Sequence, residues 1–93
     1  MADRNPAELA AELLGAYADR RLVSPPSSRE GGLDLQTAYA VEREIVKARA
    51  AAGHRPVGLK VGFANKAAWR VLKLETLVWA HIYDDTVRRA VAD

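Results

Sequence analysis

Cysteine is missing from this chain of 93 residues, so it can hold neither a disulfide framework nor a thiolate metal site. Aromatic side chains are scarce: two Trp, three Tyr and one Phe. A core must therefore be built mainly from Leu, Val, Ile and Ala. No apolar run is long enough to cross a bilayer. The start, Met1-Ala2-Asp3-Arg4-Asn5-Pro6, lacks the apolar stretch of a signal peptide. A strong charge of either sign is also missing, since fourteen Lys and Arg against twelve Asp and Glu leave a net of +2. The basic residues are not interleaved with aromatics along a stripe. The pairs Arg20–Arg21 and Arg88–Arg89 read as solvated ends of elements, so nucleic acid is not an expected partner. The expectation is a cytoplasmic protein with no membrane partner.

What is present is ordinary for a globular chain, with 49% hydrophobic and 28% charged residues. The length is that of one small domain, which buries a smaller share of its surface than a large one and gains from a partner. Asn5 is a good N-cap, Pro6 suits the first helical position and Glu8 completes a capping-box-like pattern, so a helix starts here. Leu9, Leu13, Ala16 and Tyr17 give it one apolar face, and it fades near Arg20–Arg21. Residues 22–33 form a loop, because Pro25-Pro26, three serines and Gly31-Gly32 cannot continue a helix.

A second helix is expected from Leu35 to Ala52, capped by Asp34 and ended by Gly53. Leu35, Ala38, Tyr39, Val41, Ile45 and Ala48 form its apolar face, while Glu42, Arg43, Glu44, Lys47 and Arg49 face water. After Gly53 the period changes to alternation. Val57, Leu59, Val61 and Phe63 fall on one face of a strand; Gly58, Lys60 and Gly62 fall on the other. Asn65 caps a short helix through about Leu72 that buries Trp69, and Leu77 to Tyr83 reads as a strand buried on both faces. Thr86 to Asp93 shows no turn or capping chemistry. The fold class is α+β: two longer helices and a short one, packed with two or more short strands.

Chemistry is most readable at Gly58-Leu59-Lys60-Val61-Gly62. Both same-face neighbours of Lys60 are glycines, which leave space beside the ammonium for a ligand or another backbone. A lysine desolvated in such a slot suits proton transfer or anion binding; an exposed lysine on a half-covered strand is the bland alternative. At the following junction, Gly62, Asn65 and Lys66 could hold a carboxylate or phosphate at a helix start, although an ordinary N-cap accounts for the same residues. His81-Ile82-Tyr83-Asp84-Asp85 places a histidine near two carboxylates, but alternation sets at most two of them on one side, too few for a catalytic metal. Asp84 and Asp85 also suit a strand end, and His54 suits a loop. Ser24, Ser27 and Ser28 sit in a Pro/Ser loop, a poor support for a nucleophile.

Taken together these pieces resemble a known family. Leu33-Asp34-Leu35-Gln36-Thr37-Ala38-Tyr39-Ala40-Val41-Glu42 is similar to the tyrosine-containing helix of 2-keto-4-pentenoate hydratases and oxalocrotonate decarboxylases, in the fumarylacetoacetate hydrolase superfamily. The Gly53 break, the Gly-x-Lys-x-Gly strand at 58–62, the short helix and the Asp84-Asp85 end follow in the same order across residues 5–87. The resemblance implies the amino-terminal domain of a lyase from aromatic catabolism, acting on a small 2-hydroxy-dienoate or its 2-keto tautomer. It implies Lys60 as the catalytic, proton-moving residue. It also implies Mg²⁺ or Mn²⁺ held by carboxylates of a carboxy-terminal β-rich domain that these 93 residues do not include, so no metal is expected within them.

Three departures stand out. The family strand reads Pro-Asp-Tyr-Gly where this chain has Leu77-Val78-Trp79-Ala80; Thr-Ser is replaced by Ala64-Asn65; and members are roughly two to three times as long. The expectation is therefore an enzyme segment inactive alone. The alternative is a non-catalytic module that homodimerises or binds a partner, with Trp69 and Trp79 as anchors. A compact monomer in sedimentation counts against that alternative.

Overall fold

The computed structural model describes residues 5–72 and 77–91, and the chain divides into two compact units, Met1–Gly53 and His54–Asp93. The opening Met1–Arg4 and the end of the 86–93 tail lie outside the described residues. The architecture is the expected α+β arrangement of two long helices, a short helix and two strands.

In the first unit, helix α1 spans Pro6–Asp19. Asn5 Oδ1 accepts from the Ala7 and Glu8 amides at 2.9 and 3.3 Å, satisfying two donors that the first turn cannot satisfy within itself. The helix ends at Arg20, which takes the left-handed conformation usual for glycine at φ 56°. The Arg21 amide then returns to the Ala16 carbonyl at 3.0 Å. The connecting loop contains one 3-10 turn, Pro26–Ser28, and is pinned by Arg29. That guanidinium grips Glu12 of α1 through both oxygens at 2.7 and 2.9 Å, and also reaches the Ser24 carbonyl at 2.8 Å and hydroxyl at 3.1 Å. Two-pronged, part-buried geometry of this kind makes more of an ion pair than exposed lysines manage. The Pro/Ser composition gives no sign of this fastening.

Helix α2 spans Leu35–Ala51, and Gly53 follows it at φ 93°. Asp34 Oδ1 accepts from the Thr37 amide at 2.7 Å. The hydrogen bonds to Thr37, from its side chain first and its backbone second, hold the Asp34 carboxyl below its usual value of 3.8. A carboxylate with a lowered folded-state pKa adds stability that is complete above the unfolded value and is lost as pH falls through the folded one. Asp34→Asn keeps a cap acceptor but cannot titrate. The difference in thermal midpoint between the two proteins is expected to hold steady above about pH 5 and to move in favour of the variant as pH drops below the usual carboxylate range. A difference unchanged down to pH 2 would remove the cap from the acid response.

The core of this unit lies between α1 and α2: Leu9, Ala10 and Val41 are buried, with Leu13, Leu33 and Ile45 packed against them. The apolar faces are shorter than the sequence pattern suggests. Tyr17 is 72% exposed and Leu35 is 49% exposed, and Ala48 is also on the outside. All three sit in terminal turns, beyond the middle turns where Leu9 and Val41 meet. Conversely Glu42, Glu44 and Arg49, expected in water, are half-buried.

In the second unit, strands β1 (Pro56–Gly62) and β2 (Val78–Tyr83) form a two-stranded antiparallel sheet. Lys60 faces Ala80, Leu59 faces His81, Val61 faces Trp79, and a register irregularity falls between Pro56 and Gly58. Helix α3 spans Lys66–Leu72; Asn65 Oδ1 accepts from the Ala67 amide at 2.8 Å, as a cap should. A 3-10 turn at Asp84–Thr86 closes β2. Burial of β2 on both faces is not found: Tyr83 is buried, but Trp79 is 38% exposed. A sheet of two strands covers neither of its own faces. Trp69 is half-buried rather than buried.

Candidate functional site

Pleating sorts the second unit's side chains onto two faces. Gly58, Lys60 and Gly62 share one with Val78, Ala80 and Ile82; Leu59 and Val61 share the other with Trp79 and His81. The alternation read from the sequence is therefore present around Lys60. A Cβ at Gly58 would meet nothing within 4 Å, and one at Gly62 would touch Val78 Cγ2 at 3.5 Å. The missing side chains at Gly58 and Gly62 leave the Lys60 side of β1 low. Lys60 is exposed in this unit, on an open strand face, as the bland alternative expects.

The strand-to-helix junction follows directly. Phe63 adopts φ 59°, an unusual choice for a bulky side chain, and its carbonyl accepts the indole N–H of Trp69. That bond ties α3 back onto the end of β1, next to Gly62, Asn65 and Lys66. The Asn65 side-chain oxygen is already engaged with the Ala67 amide, and its carbonyl accepts from Ala68 and Trp69 at 3.0 and 3.4 Å. Its capping work is plain; Lys66 is exposed beside it.

The Asp84-Asp85 end behaves differently from a continuing strand. The 3-10 turn interrupts alternation, and both carboxylates come to His54, 3.3 Å from Asp84 Oδ1 and 3.9 Å from Asp85 Oδ2. Partial burial pushes the Asp84 carboxyl up, but hydrogen bonds from Arg55 and His54 and the His54 charge outweigh it, so the group lies below its usual range. The Asp84 amide also donates to the Arg55 carbonyl at 3.1 Å, fastening the two chain segments. His81, in contrast, lies on the Leu59 face, edge-on to Trp79 with ring centroids 5.6 Å apart. The histidine next to the carboxylates in space is His54, thirty positions from Asp84. Local sequence spacing carried no sign of it; the signal that could have found it is antiparallel pairing of 56 with 83, which brings the residues just outside each strand together.

Elsewhere, the first unit has an open concavity of about 570 Å³ lined by Ala16, Tyr17, Ala18, Arg20, Arg21 and Leu22; none of the expected site residues lines it. Among the described residues no helix is long and apolar enough to cross a membrane.

No family profile matches the chain. Over 80 residues, 86% of its length, the chain is 31% identical to a 2-hydroxypent-2,4-dienoate hydratase from Pseudomonas putida. The likeness is to a hydratase. It is distant, and it is partial: the matched stretch spans 36% of that hydratase's length.

Proposed function

We propose that this chain supplies the proton-handling segment of a hydratase-like lyase acting on a 2-hydroxy-dienoate or its 2-keto tautomer, and that it is inactive without the rest of such an enzyme. The observation that carries the reading is Lys60 on a glycine-flanked strand face, within a chain related to a hydratase over 80 residues. Interconversion of an enol and a ketone removes a proton from oxygen and delivers one to carbon. A neutral lysine amine can accept the first, and its ammonium can return the second. The flat strip made by Gly58 and Gly62 admits a planar, conjugated acid beside the amine, with Gly62, Asn65 and Lys66 at the end where the substrate carboxylate rests. Asp84 and Asp85 stand at the far end of the paired strand and His81 on its opposite face, so Lys60 carries the proton transfer in this reading.

A divalent metal such as Mg²⁺ or Mn²⁺, which the resemblance implies, would polarise the keto-acid when bound. Mg²⁺ takes all-oxygen ligation. The three-ligand cluster among the described residues contains the imidazole of His54, a poor match for that ion.

The test uses the purified chain and a chimera in which residues 5–87 replace the matching segment of the Pseudomonas putida hydratase. With Mg²⁺ or Mn²⁺ and 2-hydroxypenta-2,4-dienoate, the chain alone is expected to show no turnover and the chimera to regain it. Turnover by the isolated chain, or a folded but inert chimera, would overturn the proposal.

A further inference from the structure

His54, Asp84 and Asp85 each offer a ligand atom, all within 4.8 Å of one another. Atoms bonded to one metal at about 2.1 Å lie about 3.0–3.4 Å apart in octahedral or tetrahedral geometry. His54 Nδ1 is 3.3 Å from Asp84 Oδ1 and 3.9 Å from Asp85 Oδ2. The first spacing already fits an ion, the second needs to close by roughly half an ångström, and the two carboxylate oxygens, within 4.8 Å of each other, by up to about 1.4–1.8 Å, so both aspartates rotate on binding.

Two features set this group apart from an ordinary acidic surface. One ligand is an imidazole, brought in from the segment before β1, while the carboxylates come from the turn after β2. Backbone pairing holds those segments in place: Pro56 opposes Tyr83, and the Asp84 amide reaches the Arg55 carbonyl at 3.1 Å. The three side chains are each 35–37% exposed, which leaves room for water to complete a coordination shell. An entering ion takes the place of any proton on the ligating nitrogen of His54, and the two carboxylates with the neutral imidazole then carry two negative charges, matching a divalent cation. The guanidinium of Arg88, fastened to the Asp85 carbonyl at 2.9 Å, works against the ion and keeps affinity moderate.

We propose that His54, Asp84 and Asp85 form a site for a divalent first-row transition metal, of the Zn²⁺ or Co²⁺ type, at the end of the β1–β2 pair where Pro56 opposes Tyr83. The imidazole selects against Mg²⁺ and Ca²⁺, which favour oxygen alone. The site is separate from the metal implied for the complete lyase, and its test reads binding rather than turnover.

The full chain is titrated calorimetrically with Zn²⁺, and with Co²⁺ while amide resonances are followed. Saturable one-to-one binding is expected, with paramagnetic shifts centred on residues 54–56 and 83–86, and no comparable signal from Mg²⁺. His54→Ala and Asp85→Asn should each weaken Zn²⁺ binding at least tenfold. His81→Ala removes the other histidine of the chain and should leave binding unchanged. If His54→Ala loosens the strand pairing by circular dichroism, Asp85→Asn, which keeps the side chain's size, decides. Unsaturable binding, wild-type affinity in Asp85→Asn, or loss of affinity in His81→Ala would each overturn the proposal.

Discussion

Lys60→Met in the chimeric hydratase is expected to lower kcat by about 10²–10⁴-fold, the range for removing a positioned general acid or base. KM should change far less, because methionine preserves the side chain's reach along the strip and the open space beside Gly58. Lys60→Arg separates the two roles a lysine can play. Arginine keeps the positive charge and can hold an anion, but it does not release its proton near neutral pH. If Lys60 moves protons, arginine should leave kcat as low as methionine does. If Lys60 is an anchor for a carboxylate, arginine should restore most of the activity and methionine should act chiefly through KM. The distinction bears on Lys60 in particular, because the residue is exposed within its own unit. A proton-transfer lysine works best when a cover lowers its pKa toward the operating pH. In the proposed reading the described residues supply only an open strand face, and a cover would come from the rest of the proposed enzyme.

That contrast also marks what the sequence could disclose. Helix starts were legible because a cap is local: Asn5, Asp34 and Asn65 each accept an amide two or three residues on, and nothing distant has to be known. The face of Lys60 was legible for the same reason, since a strand's period is two whatever surrounds it. Burial was not legible. Leu77 to Tyr83 reads as an interior strand from its large side chains, yet a two-stranded sheet leaves Leu77 and Trp79 each 38% exposed. Side-chain size records what an element can bury, and only the neighbours decide what it does bury. The candidate metal ligands were hidden for a third reason. Asp84 and Asp85 are adjacent in sequence, but their partner His54 is brought by strand register, a long-range property that local spacing does not encode. The Arg29 clamp on Glu12, across seventeen positions, was hidden in the same way.

The hydratase likeness extends across both units, but their exposure to mutation differs. In the first, the buried apolar centre is Leu9, Ala10 and Val41, with Ala16 buried nearby. A unit of this size has a net stability of only a few kcal/mol, roughly 0.05–0.15 kcal/mol per residue. Leu9→Ala deletes the largest buried side chain on the α1 side and should cost about 2–5 kcal/mol, depending on how far Val41 and Ile45 collapse into the gap. That loss is comparable with the whole stability of the unit, so the expected result is loss of most cooperative helical signal at 37 °C. Tyr17→Ala on the same helix face should move stability by no more than about 0.5 kcal/mol, because the ring is 72% exposed. Far-UV circular dichroism through thermal unfolding reads both variants. Equal effects at Leu9 and Tyr17 would mean that α1 is held by something other than its contact with α2. A large effect at Leu9 alone places the stability of this unit in the few side chains where the middle turns of the two helices meet.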